Sequence, residues 1–437
     1  METAKLKKFA QLARRSLMEQ VSAKLRWVLS DDSAARREQP QAVADIERQI
    51  FGTAGKLPDN HKPTVDDLQR QLRLIERVAY IWFNRFCALR FMDVNRYTRI
   101  GVVSPAEGQF QPEILAEAKM GHIDPDQVPE KKRQQIFALL DGKAPSRDPQ
   151  GEAYRLLLVA ACNYWHKAMP FLFQRIDDYT ELLMPDDLLS AGSILAATRE
   201  AMTPVVCGVT SDQWPVASRE NSSHQSLATS HSNAGGVEVI GWLYQFYISE
   251  KKDEVFEGLK KNKKITPENI PAATQLFTPH WIVRYLVENS LGRLWLLNRP
   301  GSKLVEQMDY YIKPEQAETD FLRIAKPEEI KICDPACGSG HMLTYAFDLL
   351  YAIYEEEGYE PAEIPEKILT HNLYGIEIDE RAGELAAFAL TMKARSKQRR
   401  FFNKGVKPNI CVLENVHFDG NELKDYMDFV GRDLFTA

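Results

Sequence analysis

The sequence predicts two architectures in one chain, an all-α region followed by an open, parallel α/β sheet. Three observations carry this reading. Glu329 to Cys333 reads as a buried parallel strand and Asp334-Pro335-Ala336-Cys337-Gly338-Ser339-Gly340 as a glycine-rich turn, after which Leu343, Phe347, Leu350, Ile353 and Tyr354 recur at helical spacing. The pattern then repeats: Leu373 to Asp379 is a second strand ending in acids, a helix with Leu385, Ala386, Ala389 and Leu390 on one face follows, and Asn409 to Leu413 is a third strand. Upstream lie long amphipathic and aromatic helical stretches, and residues 110–215 show no strand-period alternation.

Residues 1 to about 28 form one amphipathic helix with Leu6, Phe9, Leu12, Leu17, Val21 and Leu25 as its apolar stripe. Lys5, Lys7, Lys8, Arg14, Arg15, Lys24 and Arg26 decorate the other faces. Contact with a nucleic-acid backbone is one reading of them; a solvated helix face is the favoured one. Thr64, followed by Asp66 and Asp67, is a helix start with an N-cap and acids in the first turn. The helix it opens, Leu68 to Met92, is dense in aromatics and must be buried among other helices, so Arg85 and Arg90 need partners or must reach water. Helices broken by Pro125, Pro129, Pro145, Pro149, Pro170 and Pro185 continue to about residue 215. Ser218 to Gly236 is Ser/Asn/Gly-rich and reads as a flexible loop, with His224 and His231 as loop residues rather than ligands. Val237 to Tyr247 is a second aromatic helix; for the lysine-rich stretch Lys251 to Lys264 phosphate contact is one reading, and a solvated, mobile segment is the favoured one. Thr278-Pro279 marks another helix start, with Thr278 as N-cap, Pro279 first in the helix, and an end near Leu297. The resulting division is a helical domain over 1–216, a linker over 217–236, a helical connection over 237–270 and an α/β domain over 271–437.

Composition narrows the class. A chain of 437 residues holds two or three domains, and 44% hydrophobic with 27% charged residues is ordinary for a globular protein. The net charge of −6 argues against a protein coated in nucleic acid, while leaving room for local basic patches. Six cysteines without a CxxC pair give neither a zinc site nor a disulfide framework, and fit a reducing cytoplasm. Cys333 and Cys337 read as small apolar fillers. No run of about 18 apolar residues is present, so no membrane span is expected.

The glycine-rich turn places backbone N–H groups and a helix N-terminus at the end of the first strand, which describes a nucleoside-cofactor site. In a dinucleotide fold the acid of the second strand follows the glycines by about 20 residues and takes the ribose hydroxyls. Here Glu377 follows Gly340 by 37 residues, but it still ends the second strand. The first loop is DPACGSG, not GxGxxG. Asp334 at the strand end would repel a pyrophosphate and would suit the ammonium and sulfonium charges of S-adenosylmethionine, which argues against NAD.

DPACGSG, the upstream Phe277-Thr278-Pro279 and the downstream GIEID together resemble the S-adenosylmethionine site of adenine-N6 DNA methyltransferases, and the order of these motifs looks like the gamma class. KLKKFAQLARRSLMEQV, WFNRFCALRFMDVNRY and GWLYQFYISEKKDEVF extend the similarity, over nearly the whole chain, to the methyltransferases of BREX phage-defence systems. The resemblance implies a truncated Rossmann-like methyltransferase domain behind a helical one, with double-stranded DNA as partner, other defence proteins as further partners, and no membrane. It implies that Thr278 holds the methionine carboxylate and that Phe277 packs on the cofactor. Asp334, Ala336, Cys337, Gly338 and Gly340 line the methionine part. Glu377 takes the ribose hydroxyls, Ile378 lies against the adenine ring, and Glu414 or Asn415 accepts from the adenine amine. The family's catalytic tetrapeptide, Asn/Asp-Pro-Pro-aromatic, is missing, since no Pro-Pro dipeptide occurs in the chain. The expectation is therefore the N-terminal part of such an enzyme, with no catalytic or metal-binding residue assigned and no activity alone. The alternative is a non-catalytic DNA- or protein-binding module of a defence complex.

Overall fold

The computed structural model describes residues 3–52, 63–176, 179–209, 236–276, 278–414 and 420–434. Helix α1 (Thr3–Leu29) buries Leu6, Phe9, Ala10, Ala13, Leu17, Val21, Leu25 and Val28, spaced three or four residues apart along one side. Leu12 lies off that side and is 55% exposed, because Ala10 and Ala13 take the inward positions in its place. Several basic residues of α1 serve the fold: Arg14 pairs with Glu76, Arg15 with Glu250 and Lys24 with Asp186.

Helix α2 (Val65–Val94) opens as its sequence dictates. The Thr64 hydroxyl accepts from Asp67 N–H at 3.2 Å while Asp67 accepts from Thr64 N–H at 2.9 Å, a reciprocal capping box. Its C-terminal half is buried all round, and its two buried arginines find partners inside the protein. Arg90 donates to the Ser104 hydroxyl at 2.6 Å and to Met202 O at 3.1 Å; Arg85 donates to Gln174 O at 3.1 Å. Helix α3 (Pro149–Trp165) begins at one of the prolines expected to break helices, since proline lacks an N–H that the first turn does not need.

Helix α4 (Glu238–Lys260) packs along α1 and belongs to the same core as α1, α2 and α3. It absorbs the first part of the lysine-rich stretch expected to be mobile, and Lys252 donates to Gln275 O at 2.7 Å. The loop expected over residues 217–236, with His224 and His231, lies outside the described residues except for Gly236. Helix α5 (His280–Val287) continues through a π-helical turn at Glu288–Gly292 and a helix at Arg293–Asn298.

The α/β part is a three-stranded parallel sheet in the order β1 (Ile332–Asp334), β2 (Leu373–Glu377), β3 (Asn409–Val412). Strand β1 starts later than Glu329, because Pro327–Glu329 closes a short 3-10 turn first. Helix α6 (His341–Glu356) follows β1 and helix α7 (Glu380–Lys397) follows β2; they touch each other and both pack on β2, so they share one face of the sheet. On the other face Cys333 and Cys411 are exposed. Cys337 is the buried filler expected of it; Cys333 is not.

Helix α7 is a beam common to both parts. Leu385 and Phe388 face the helical core, where Phe388 meets Phe91 edge-on at 6.2 Å, while Ala386 and Leu390 belong to the core under the sheet. Leu385 and Ala386 therefore do not share a face as their spacing suggests, because the helix is covered on two sides. A buried polar knot secures the same boundary: the Tyr244 hydroxyl donates to Asp379, Arg381 pairs with Asp379 at 2.8 Å, and its guanidinium lies 5.4 Å from the Tyr80 ring. The amphipathic helix α8 (Gly420–Leu434) follows β3, with Leu423, Tyr426 and Met427 exposed. No helix among the described residues is long and apolar enough to cross a membrane.

Candidate functional site

The turn after β1 is held by its own backbone. Cys337 N–H donates to Ile376 O at 3.0 Å and Gly340 N–H to Cys337 O at 2.8 Å, which ties the loop to β2 and closes it on itself. Gly338 (φ +54°) and Gly340 (φ +86°) adopt the left-handed conformation that only glycine takes without strain. Gly340 also allows a close approach, since a Cβ there would lie 3.1 Å from the Cα and Cβ of Ala386 on α7. Gly375 on β2 is packed against as tightly: a Cβ there would lie 2.7 Å from Ile410 Cδ1 and 2.9 Å from Cys337 Sγ.

Beside this turn lies a cavity of about 430 Å³, within the usual size of small-molecule sites. Asp334, Ala336, Cys337, Gly338 and the start of α6 form one wall, Thr278 and the Leu286–Leu291 stretch another, and Gly241, Tyr244 and Gln245 of α4 a third. Five of the residues singled out from the sequence thus meet in one place: Thr278, Asp334, Ala336, Cys337 and Gly338. Thr278 does so without capping a helix. Pro279, extended at ψ 140°, is the cap, and the helix begins at His280. The half-buried Thr278 hydroxyl consequently has no hydrogen-bond partner among the described residues.

The electrostatics of the cavity are those of an uncompensated acid. Burial raises the Asp334 carboxyl above the ordinary range, opposed by its one hydrogen bond, from Ala336 N–H at 3.2 Å. No basic side chain of the described residues pairs with it. Burial, joined by the charges of Asp334 and Glu377, pushes the Cys337 thiol up to about 12, so it stays protonated and unreactive. Burial pushes His341 down to about 4 against the pull of Glu238, so the imidazole at the start of α6 is neutral at physiological pH.

Glu377 sits behind the loop, 6% exposed. It accepts from Gly338 N–H at 2.7 Å and from the N–H groups of Ile378 and Asp379 at 3.0 Å each. Three of its roughly four lone-pair positions are taken, leaving one. Ile378 (51% exposed) and Leu413 (52%) form an apolar shelf at the ends of β2 and β3, outside the cavity. Glu414 is exposed just beyond it. Phe277 and Asn415 lie outside the described residues. The contribution of α4 was not expected from the sequence. Its one available signal was Gly241, a lone glycine in the bulky run VIGWLYQFY. Among the described residues no group of His, Cys, Asp and Glu side chains could hold a metal ion.

A glycine turn at the end of a parallel strand, beside an acid and an apolar shelf, lies where open α/β sheets bind their ligands. Residues 315–412, which span β1 to β3, match the family described as MmeI, DNA-methyltransferase domain. Across 98% of its length the chain is 38% identical to the adenine-specific methyltransferase BrxX of Escherichia coli O9:H4 (strain HS). Across the same share it is 33% identical to the adenine-specific methyltransferase PglX of Lacticaseibacillus casei (strain Zhang). It covers 34% and 35% of those two proteins, about a third of each. The resemblance read from DPACGSG and GIEID is thereby borne out: the relatives of this chain are adenine-specific methyltransferases of the BrxX and PglX kind.

Proposed function

We propose that this chain forms the cofactor-binding half of a DNA adenine-N6 methyltransferase that uses S-adenosylmethionine and serves a BREX phage-defence system in the cytoplasm. A helical domain over 1–216 and a truncated Rossmann-like domain over 271–437, joined through 237–270, carry it. The observation that supports this most is Asp334: a carboxylate raised by burial, without a basic partner among the described residues, at the mouth of the glycine turn. Such a group disfavours a pyrophosphate and favours an ammonium. Thr278 lines the same cavity with a hydroxyl that has no partner among the described residues, which supports it as a donor to the cofactor's carboxylate.

When bound, the cofactor supplies an electrophilic methyl group on a sulfonium. The residues of this chain bind and orient. Asp334 neutralises the ammonium, and the loop from Ala336 to Gly340 lines the methionine chain. Glu377 keeps its two bonds from Ile378 and Asp379 N–H and offers its remaining lone pair, with the one now used by Gly338, to the ribose hydroxyls. Ile378 presents its exposed face to the adenine ring, and Glu414 or Asn415 accepts from its amine. The acceptor adenine of double-stranded DNA must leave the base stack, and its delocalised amine needs a side-chain oxygen and a proline carbonyl as acceptors. The tetrapeptide that supplies these is absent from the 437 residues, so this chain alone transfers no methyl group. Calorimetric titration with S-adenosylhomocysteine and with NAD tests the reading. Binding of the former alone is the expected result; binding of NAD alone overturns it.

A further inference from the structure

We infer that Gln245, on a helix outside the methyltransferase-like fold, binds the ammonium group of the cofactor's amino-acid end together with Asp334. This rests on the reading of the cavity as an S-adenosylmethionine site. Gly241 is where α4 meets the glycine turn. A Cβ at that position would lie 2.4 Å from His341 Nε2 and 2.7 Å from Ser339 Oγ, so glycine lets α4 come down onto the turn and the start of α6 without displacing either side chain. One helical turn later, Tyr244 and Gln245 consequently form part of the cavity wall. Tyr244 is already committed, its hydroxyl donating to Asp379. Gln245 is not: its Oε1 is buried and has no hydrogen-bond partner among the described residues.

A buried amide oxygen without a donor is costly, and native proteins rarely leave one so. A ligand that brings a donor into the cavity would complete it. The ammonium has three N–H donors, and Asp334, which lines the same cavity, takes at most two. The neutral Gln245 carbonyl adds an acceptor without adding a second charge, so the two walls hold one cation between them. Cofactor affinity would then depend on the helical part of the chain, and not only on the glycine turn.

The test compares S-adenosylhomocysteine with methylthioadenosine, which lacks the amino-acid end, by calorimetry on the whole chain. Gln245→Met keeps the volume and removes the acceptor; Gln245→Glu keeps an acceptor. The expected result is about a tenfold loss of S-adenosylhomocysteine affinity in Gln245→Met, recovery in Gln245→Glu, and unchanged methylthioadenosine binding in both. Unchanged S-adenosylhomocysteine affinity in Gln245→Met overturns the inference, and so does an equal loss for both ligands, which would mean that Gln245 only shapes the fold. If the unsubstituted chain binds no S-adenosylhomocysteine, the cofactor reading itself fails first, and this one with it. A ligand-side measurement is independent of how the variants fold: the unsubstituted chain must bind S-adenosylhomocysteine more tightly than its des-amino analogue, and equal affinities overturn the inference.

Discussion

Gly340→Ala and Gly358→Ala perturb the two ends of the same helix, and together they isolate what the turn demands. Gly340 precedes α6 at φ +86° and Gly358 follows it at φ +80°, so an alanine at either position adopts a left-handed backbone at a cost of about 1–2 kcal/mol. Their surroundings differ. A Cβ at 358 meets nothing within 4 Å, whereas one at 340 lies 3.1 Å from the Cα and Cβ of Ala386, backbone-bound atoms of a buried helix that cannot swing aside. Overpacking of that kind adds about 1–3 kcal/mol. Gly358→Ala should therefore lower stability by about 1–2 kcal/mol and Gly340→Ala by about 2–5 kcal/mol. Urea unfolding of both variants measures the difference directly. Equal losses would refute the close approach of the turn to α7. Titration with S-adenosylhomocysteine separates the same pair: Gly358→Ala should bind as the parent does, and Gly340→Ala should not.

The buried charges set three further outcomes. Burial and the neighbouring Glu380 charge push Glu384 on α7 up to about 8, with Arg85 and Arg77 opposing. Between the ordinary carboxylate range and that value the folded chain holds a proton that the unfolded chain has lost, so stability falls as pH rises through that window. Glu384→Gln should thus be the more stable protein at pH 8.5 by at least about 1 kcal/mol, with the advantage vanishing near pH 4, as read by thermal melts across pH. Asp334→Asn should leave stability at pH 7 unchanged or higher, since it removes a desolvated charge, while reducing S-adenosylhomocysteine affinity by about tenfold or more; unaltered affinity would count against Asp334 as the ammonium partner. Tyr244→Phe removes the hydroxyl that donates to the buried Asp379 and should cost about 1.5–3 kcal/mol in urea unfolding, much less so in an Asp379→Asn background.

The parts of this protein that were legible in its sequence are those whose causes are local. The Thr64 capping box needs four consecutive residues, and the period of Leu343, Phe347 and Leu350 follows from one helix resting on one sheet. The turn between Asp334 and Gly340 was legible because left-handed backbone requires glycine at fixed positions. What was not legible depends on tertiary partners. Thr278 has the chemistry of an N-cap, but the extended Pro279 starts the helix one residue later and leaves the hydroxyl to the cavity. Leu12 matches an apolar stripe as well as Ala13 does, and only the proximity of α4 and α2 selects the smaller residues. The third wall of the cavity comes from a helix almost a hundred residues upstream of the turn. A single glycine, Gly241, was the trace of that contact, and its meaning rests on where His341 and Ser339 lie in space.

One cavity, built by the glycine turn and by α4, holds the amino-acid end of S-adenosylmethionine if the proposed function is right. A crystal structure of the chain grown with S-adenosylhomocysteine tests this most directly. The expected result is the ligand's ammonium between Asp334 and Gln245, its carboxylate at Thr278, its ribose at Glu377 and its adenine over Ile378. Ligand density running the opposite way, with the adenine between Asp334 and Gln245, or density confined to another surface, would contradict it.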